Sequence, residues 1–172
     1  MKNLYAVYND CLNEVKAAGI VPGDIVDVTI NTRAKKRWGR CTFANGHYRI
    51  EISDRLLQDD VDIKATKNTM THEILHTVNG CMNHGANWQA VADKMNRKYP
   101  DVYNIKRTTS CEEKGIEAVP PRADRWELTC QSCGKTWRYK RAPKYNISSY
   151  HCPCGGNIKM RSLVEGIDVL HL

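Results

Sequence analysis

The sequence predicts an α+β fold followed by a smaller β module. Three observations carry this. Apolar residues recur at helical spacing near the start and again after residue 62. Between those stretches they alternate, and Asn45-Gly46 divides two alternating runs. Four of the eight cysteines then fall in paired short spacings late in the chain.

Leu4, Tyr8, Cys11, Val15 and Ala18 predict a first helix over roughly residues 3–18, with Gly19 as its stop. Pro22-Gly23-Asp24 reads as a turn. Val26, Val28 and Ile30 alternate as a half-buried strand does. The run from Gly39 to Phe43 and the run Tyr48, Ile50, Ile52 predict two more strands, joined at Asn45-Gly46 into a small antiparallel sheet. Asp62 to Asn79 reads as a helix with Ile63, Met70, Ile74 and Val78 along one stripe and Gly80 as terminator. Trp88, Val91, Ala92, Met95 and Tyr99 predict another helix, stopped by Pro100. Residues 1–104 form this domain. Residues 105–124, with Thr108-Thr109-Ser110 and Pro120-Pro121, read as a linker, and residues 125–172 as the small module.

The composition is that of a soluble globular protein, 41% hydrophobic and 26% charged. Its net charge of +7 is uneven: residues 1–121 hold 17 Lys+Arg against 15 Asp+Glu, and residues 122–172 hold 9 against 4. A basic module attracts polyanions, nucleic acid first among them. The first ten residues lack the apolar run of a signal peptide, and no apolar segment approaches the ~20 residues of a membrane span. With paired rather than scattered cysteines, this points to reduced thiols, metal binding and an intracellular, cytoplasmic location.

The chemistry concentrates in Met70-Thr71-His72-Glu73-Ile74-Leu75-His76, which contains H-E-x-x-H. Helix positions i and i+4 share a face, so both imidazoles reach one zinc ion. Glu73 lies beside that face. It can act as general base on a zinc-activated water, as in metalloproteases. A catalytic zinc needs a third protein ligand. Gly and His at 79 and 82 would make the extended metzincin pattern, but Asn79 and Met82 stand there, and no Glu occurs between Glu73 and Glu112. His84 and Asp93 remain. His84 sits in Gly80-Cys81-Met82-Asn83-His84-Gly85, a segment able to turn back towards the metal; Asp93 can instead orient a ligand from behind.

His72-Glu73-Ile74-Leu75-His76 followed by His84-Gly85-Ala86-Asn87-Trp88 resembles the SprT-like metalloproteases, relatives of Spartan. Asn31-Thr32-Arg33, Arg37-Trp38-Gly39-Arg40-Cys41 and Tyr48 to Ser53 are similar to that family's strand region, and Leu56-Leu57 to the approach to its helix. The resemblance extends over nearly the whole chain. It implies a zincin-like fold, zinc on His72, His76 and His84, a catalytic Glu73, and cleavage of proteins held on or crosslinked to DNA.

Cys130-Gln131-Ser132-Cys133-Gly134 is a zinc knuckle. Cys152 follows Cys133 after 18 residues, within the usual spacing, but the second pair is Cys152-Pro153-Cys154, a shortened C-x-C. The expectation is a zinc ribbon with a structural zinc on Cys130, Cys133, Cys152 and Cys154; His151 is the alternative to one thiolate. Between the knuckles, aromatic and basic residues alternate: Trp137, Arg138, Tyr139, Lys140, Arg141 and Lys144 can stack on bases and meet phosphates. Arg33, Lys35, Lys36, Arg37 and Arg40 form a second basic cluster. Cys11 and Cys41 read as small buried residues, and His47 and His171 as ordinary surface groups. The motifs predict a two-zinc endopeptidase, and the resemblance implies that it acts on DNA-bound proteins. The alternative is a non-enzymatic zinc protein that binds nucleic acid, against which the intact Glu73 argues. A zinc hydrolase of other bonds is a second rival.

Overall fold

The structure is a computed structural model describing residues 1–34 and 36–164. Lys35 and residues 165–172, and with them the readings of Lys35, of His171 and of the end of the ribbon, lie outside the described residues. The chain divides into two compact units, Met1–Val119 and Pro120–Leu172.

The first unit begins with α1 (Leu4–Ala17), whose N-terminus is capped by the Asn3 side chain accepting from the Ala6 N–H at 3.0 Å. The chain leaves this helix through Gly19, in the left-handed region that glycine adopts without a Cβ penalty. Strands β1 (Ile25–Asn31), β2 (Gly39–Ala44) and β3 (His47–Ser53) form one sheet in the order β1-β3-β2. Asn45 and Gly46 both have positive φ, the requirement of the two-residue hairpin that joins β2 to β3. The sheet is mixed, not antiparallel: β1 runs parallel to β3. The long connection from 32 to 38 separates β1 from the β2–β3 hairpin and leaves β3 as the central strand. Of the alternating residues in β1 only Val28 is buried; Val26 and Ile30 are exposed on this edge strand.

A 3₁₀ turn with buried Leu56 and Leu57 leads to α2 (Ile63–Leu75), capped by Asp62. This helix ends four residues before Asn79. The Thr77 backbone N–H and hydroxyl both donate to the Ile74 carbonyl, at 2.9 and 2.7 Å, where the Val78 N–H would bond in a continuing helix. Val78 bonds to Leu75 instead, in a tighter turn. Helix α3 (Ala86–Lys98) buries Trp88, Ala92 and Met95. Ile50, Ile52, Met70, Ile74 and Trp88 lie in the core between sheet and helices.

The stretch 105–119, expected as linker, belongs to the first unit. Asn96 clamps both backbone groups of Ile105, at 2.7 and 3.1 Å, and Ile105 is buried. Ser110 and Glu113 then form a reciprocal capping box at 2.7 and 3.1 Å, opening the short 3₁₀ turn Glu112–Lys114. Polar composition suggested a linker; the hydrogen-bonding groups of that composition are what tie it down.

The second unit is an antiparallel sheet of β4 (Trp126–Cys130), β5 (Thr136–Tyr139) and β6 (Ile158–Ser162), ordered β5-β4-β6. Trp126, Leu128 and Met160 are its buried core. Among the described residues no helix is long and apolar enough to cross a membrane.

Candidate metal centre and its cleft

His72 and Glu73 occupy the last turn of α2, His76 its C-cap, and His84 the turn before α3. Gly80, at positive φ, reverses the chain between them; a Cβ there would stand 2.9 Å from the Asn87 amide. The three Nε2 atoms converge, with His72–His76 and His76–His84 separations of 3.2 Å and a His72–His84 separation of 2.9 Å. Three nitrogens about 2.05 Å from a tetrahedral zinc stand roughly 3.3 Å apart. Trp88 packs against all three rings, with centroid distances of 4.7, 5.6 and 4.6 Å.

Their orientation is set from behind. The Nδ1 of His72 meets the Lys106 carbonyl at 3.0 Å, and that of His76 meets the Cys81 carbonyl at 2.8 Å. A carbonyl only accepts, so both Nδ1 atoms carry the proton and both Nε2 atoms present lone pairs inward. Burial, then the neighbouring imidazoles, hold His72 down at about 3, and burial lowers His76 and His84. Neutral rings with facing lone pairs repel one another unless a cation sits between them, so the donor set fits a metal ion. Asp93 is not part of it; its carboxylate accepts from Gln89, one turn back on α3, at 3.1 Å.

Glu73 is only 6% exposed. Burial pushes its carboxyl up to about 8, opposed by a hydrogen bond from the Cys41 backbone and by the charges of Arg37 and Lys114. Gly39 lies against it: a Cβ at that position would stand 2.4 Å from Glu73 Oε1. The start of β2 therefore seats the carboxylate with its backbone. Gly39→Ala is expected to displace the Glu73 carboxylate and lower any hydrolytic turnover by roughly 10²-fold. Unchanged turnover in a folded Gly39→Ala protein would count against this seating.

A cleft of about 290 Å³ opens beside His72 and Glu73, with Trp38, Thr69, Arg107 and Lys114 in its wall. Sequence reading missed Gly39, the Cys41 backbone and Lys114. Only the Ser110-x-x-Glu113 pattern hinted that the segment bearing Lys114 is ordered.

A model of the SprT-like family matches residues 1–110. The chain belongs to the SprT-like family. No curated protein matches it. The SprT-like assignment makes the first unit a metallopeptidase-like domain, and the match stops short of the ribbon.

Outside the SprT-like match, Cys130, Cys133, Cys152 and Cys154 bring four thiols to one point, all Sγ atoms within 4.8 Å of one another. The Cys130–Cys154 and Cys133–Cys152 separations are both 3.6 Å, too long for a disulfide and close to the roughly 3.8 Å between thiolates on tetrahedral zinc. N–H groups of Ser132 and Cys133 point at Cys130 Sγ at 3.4 Å, and such bonds, that from Cys133 first, bring its thiol down to about 6. Gly156 completes the cradle, since a Cβ there would lie 2.7 Å from Cys130 Sγ. The shortened second knuckle is accommodated, while the exposed His151 pairs with Asn157 in an isolated bridge outside the group.

The aromatic and basic residues of the ribbon are separated by the pleat. Trp137 and Tyr139 sit opposite Leu128 and Trp126, on the face of the small core. Arg138 sits opposite Glu127 and bonds to it at 3.1 Å; Arg161 engages the same buried carboxylate at 2.6 Å. Tyr139, Lys140, Arg141 and Lys144 are exposed, and Lys144 lies over Tyr145. In the first unit Arg37 pairs with Glu51 at 3.1 Å. His47, read as an ordinary surface group, is exposed and meets Asp24 at 2.7 Å.

Proposed function

We propose that the chain is a zinc-dependent endopeptidase acting on proteins bound or crosslinked to DNA. The observation that carries the reading is the convergence of three lone-pair nitrogens beside a buried carboxylate in an open cleft. In this reading His72, His76 and His84 hold the catalytic zinc, and Cys130, Cys133, Cys152 and Cys154 a structural one. Zinc bound at such a site polarises a scissile carbonyl and lowers the pKa of a bound water. Glu73 takes the proton of the attacking water on its carboxylate and returns it to the departing amine. The Cys41 backbone keeps that carboxylate aimed during both transfers.

The ribbon acts as a DNA anchor, through Tyr139, Lys140, Arg141 and Lys144 with Trp137 and Arg138 in support. Tethering of this kind raises the local concentration of DNA-bound substrate. A purely structural, non-enzymatic zinc protein is the second reading, and the cleft beside Glu73 disfavours it. The test is a zinc-loaded full chain incubated with a DNA-binding protein, with and without single-stranded DNA and with and without a chelator. Peptide-bond cleavage that DNA accelerates and the chelator stops is the expected result. Absence of cleavage in a protein carrying both ions would leave the non-enzymatic reading.

A further inference from the structure

Lys114 has an unusual environment for a lysine. It is 5% exposed, yet it lines the same cleft as His72 and Glu73. Its Nζ donates to Thr69 Oγ1 at 2.7 Å and lies 5.8 Å from the centre of the Trp38 ring. Among the described residues Nζ has no other hydrogen-bond or ring partner, and no carboxylate lies within salt-bridge distance of it. An ammonium has three N–H donors, so two remain for a ligand. Burial opposes the charge, and Glu113 and Glu73 favour it from beyond ion-pair distance, so no carboxylate contacts the amine directly. The nearby carboxylates have other engagements: Glu113 pairs with Lys106 and caps Ser110, and Glu73 is seated on β2. The wall also carries Lys36 and Arg107, so the cleft as a whole favours an anion.

The lysine is held rigidly. The 3₁₀ turn that bears it is opened by the Ser110–Glu113 capping box and closed by Gly115 at positive φ. Thr69 lies three residues before His72 on α2, so the amine stands one helical turn from His72 along the wall of the same cleft.

Resting on the peptidase reading above, we propose that Lys114 forms the floor of a substrate subsite for an acidic side chain, Asp or Glu, close to the scissile bond. A side-chain carboxylate is a terminal group on a short stem and can reach a recessed amine while the peptide backbone runs past the cleft. A DNA phosphate is flanked by two sugars within its own backbone and cannot enter in that way. Thr69 and Trp38 then serve as positioning residues for the amine.

The test is peptide binding to the full-length, zinc-loaded Glu73→Gln chain, which is designed to bind without cutting. Fluorescent peptides identical except for one central Glu, Gln or Lys are compared by anisotropy. The Glu peptide is expected to bind roughly tenfold more tightly than the Gln peptide, as a charge-assisted hydrogen bond supplies. Adding Lys114→Met should bring the two within about twofold, and Lys114→Arg should keep part of the difference. Lys114→Gln, neutral but polar, replaces the Met variant should that fail to fold.

A Glu preference absent from the parent, or one that survives removal of the amine in a folded protein, overturns the proposal. So does an oligonucleotide whose affinity falls with Lys114→Met while the peptides are unaffected, which would assign the recess to phosphate. Failure of the two readings is distinguishable. A wild-type chain that binds Glu peptides preferentially but hydrolyses nothing sinks the peptidase. One that cuts acidic and neutral peptides alike sinks the subsite.

Discussion

Glu73→Gln is expected to leave both metal sites filled and to lower peptide hydrolysis by at least roughly 10³-fold, within the range of a lost general base. The substitution keeps the shape of a side chain packed against Gly39, and its amide oxygen can still accept from the Cys41 backbone. Neither His72 nor His76 depends on Glu73 for orientation, because the Lys106 and Cys81 carbonyls hold their rings. What disappears is the group able to accept a proton. Burial already disfavours charge at this position, so a neutral amide should fold as well as the parent or better. Metal content per chain and turnover on one substrate, measured together, decide it. Zinc retained with turnover intact would remove Glu73 from the proposed chemistry. Zinc lost would mean that the carboxylate helps hold the ion.

The convergence of the three histidines was legible in sequence because side-chain spacing on a helix is a local property. The i, i+4 relation of His72 and His76 needs only a helix, and the glycines around His84 supply the turn back. The Asn45-Gly46 hairpin was legible for the same reason, since two adjacent positive-φ positions select those residues. The contributions that escaped come from afar. Gly39 and Cys41 reach Glu73 only once β2 lies against α2, and an isolated Gly-Arg-Cys sequence does not announce that contact. Lys114 lay in a polar stretch whose composition matches a linker equally well. The parallel pairing of β1 with β3 follows from sheet order, which alternation along one strand does not encode. At the early end of α2 the Thr77 and Val78 N–H groups bond three residues back and the Thr77 hydroxyl joins them on Ile74, a tightening that apolar periodicity does not register.

Cys130→Ser is expected to release one of the two metal ions and to unfold the ribbon while residues 1–119 stay folded. Among the described residues the buried core of this unit is Trp126, Leu128 and Met160, with a few half-buried side chains around them. Ordering costs roughly 1–2 kcal/mol of backbone entropy per residue, and a core of that size cannot offset it over more than 40 residues. Zinc on four thiolates supplies apparent binding energies on the order of 10–16 kcal/mol in small domains, and that binding is folding energy. Serine at 130 removes the sulfur that receives two N–H groups and lies against Gly156, so the knuckle loses both its ligand and its internal hydrogen bonds. The first unit has its own core and its own cluster of three histidines. Hydrogen exchange should therefore show lost protection across β4, β5 and β6, with α1, α2 and α3 unchanged, and metal analysis should fall from about two ions per chain to about one. Cleavage of a short peptide should survive, while any stimulation by DNA should go with the ribbon. Two ions retained with full protection would exclude the thiols as ligands. Protection lost across the first unit as well would show that the two units fold as one.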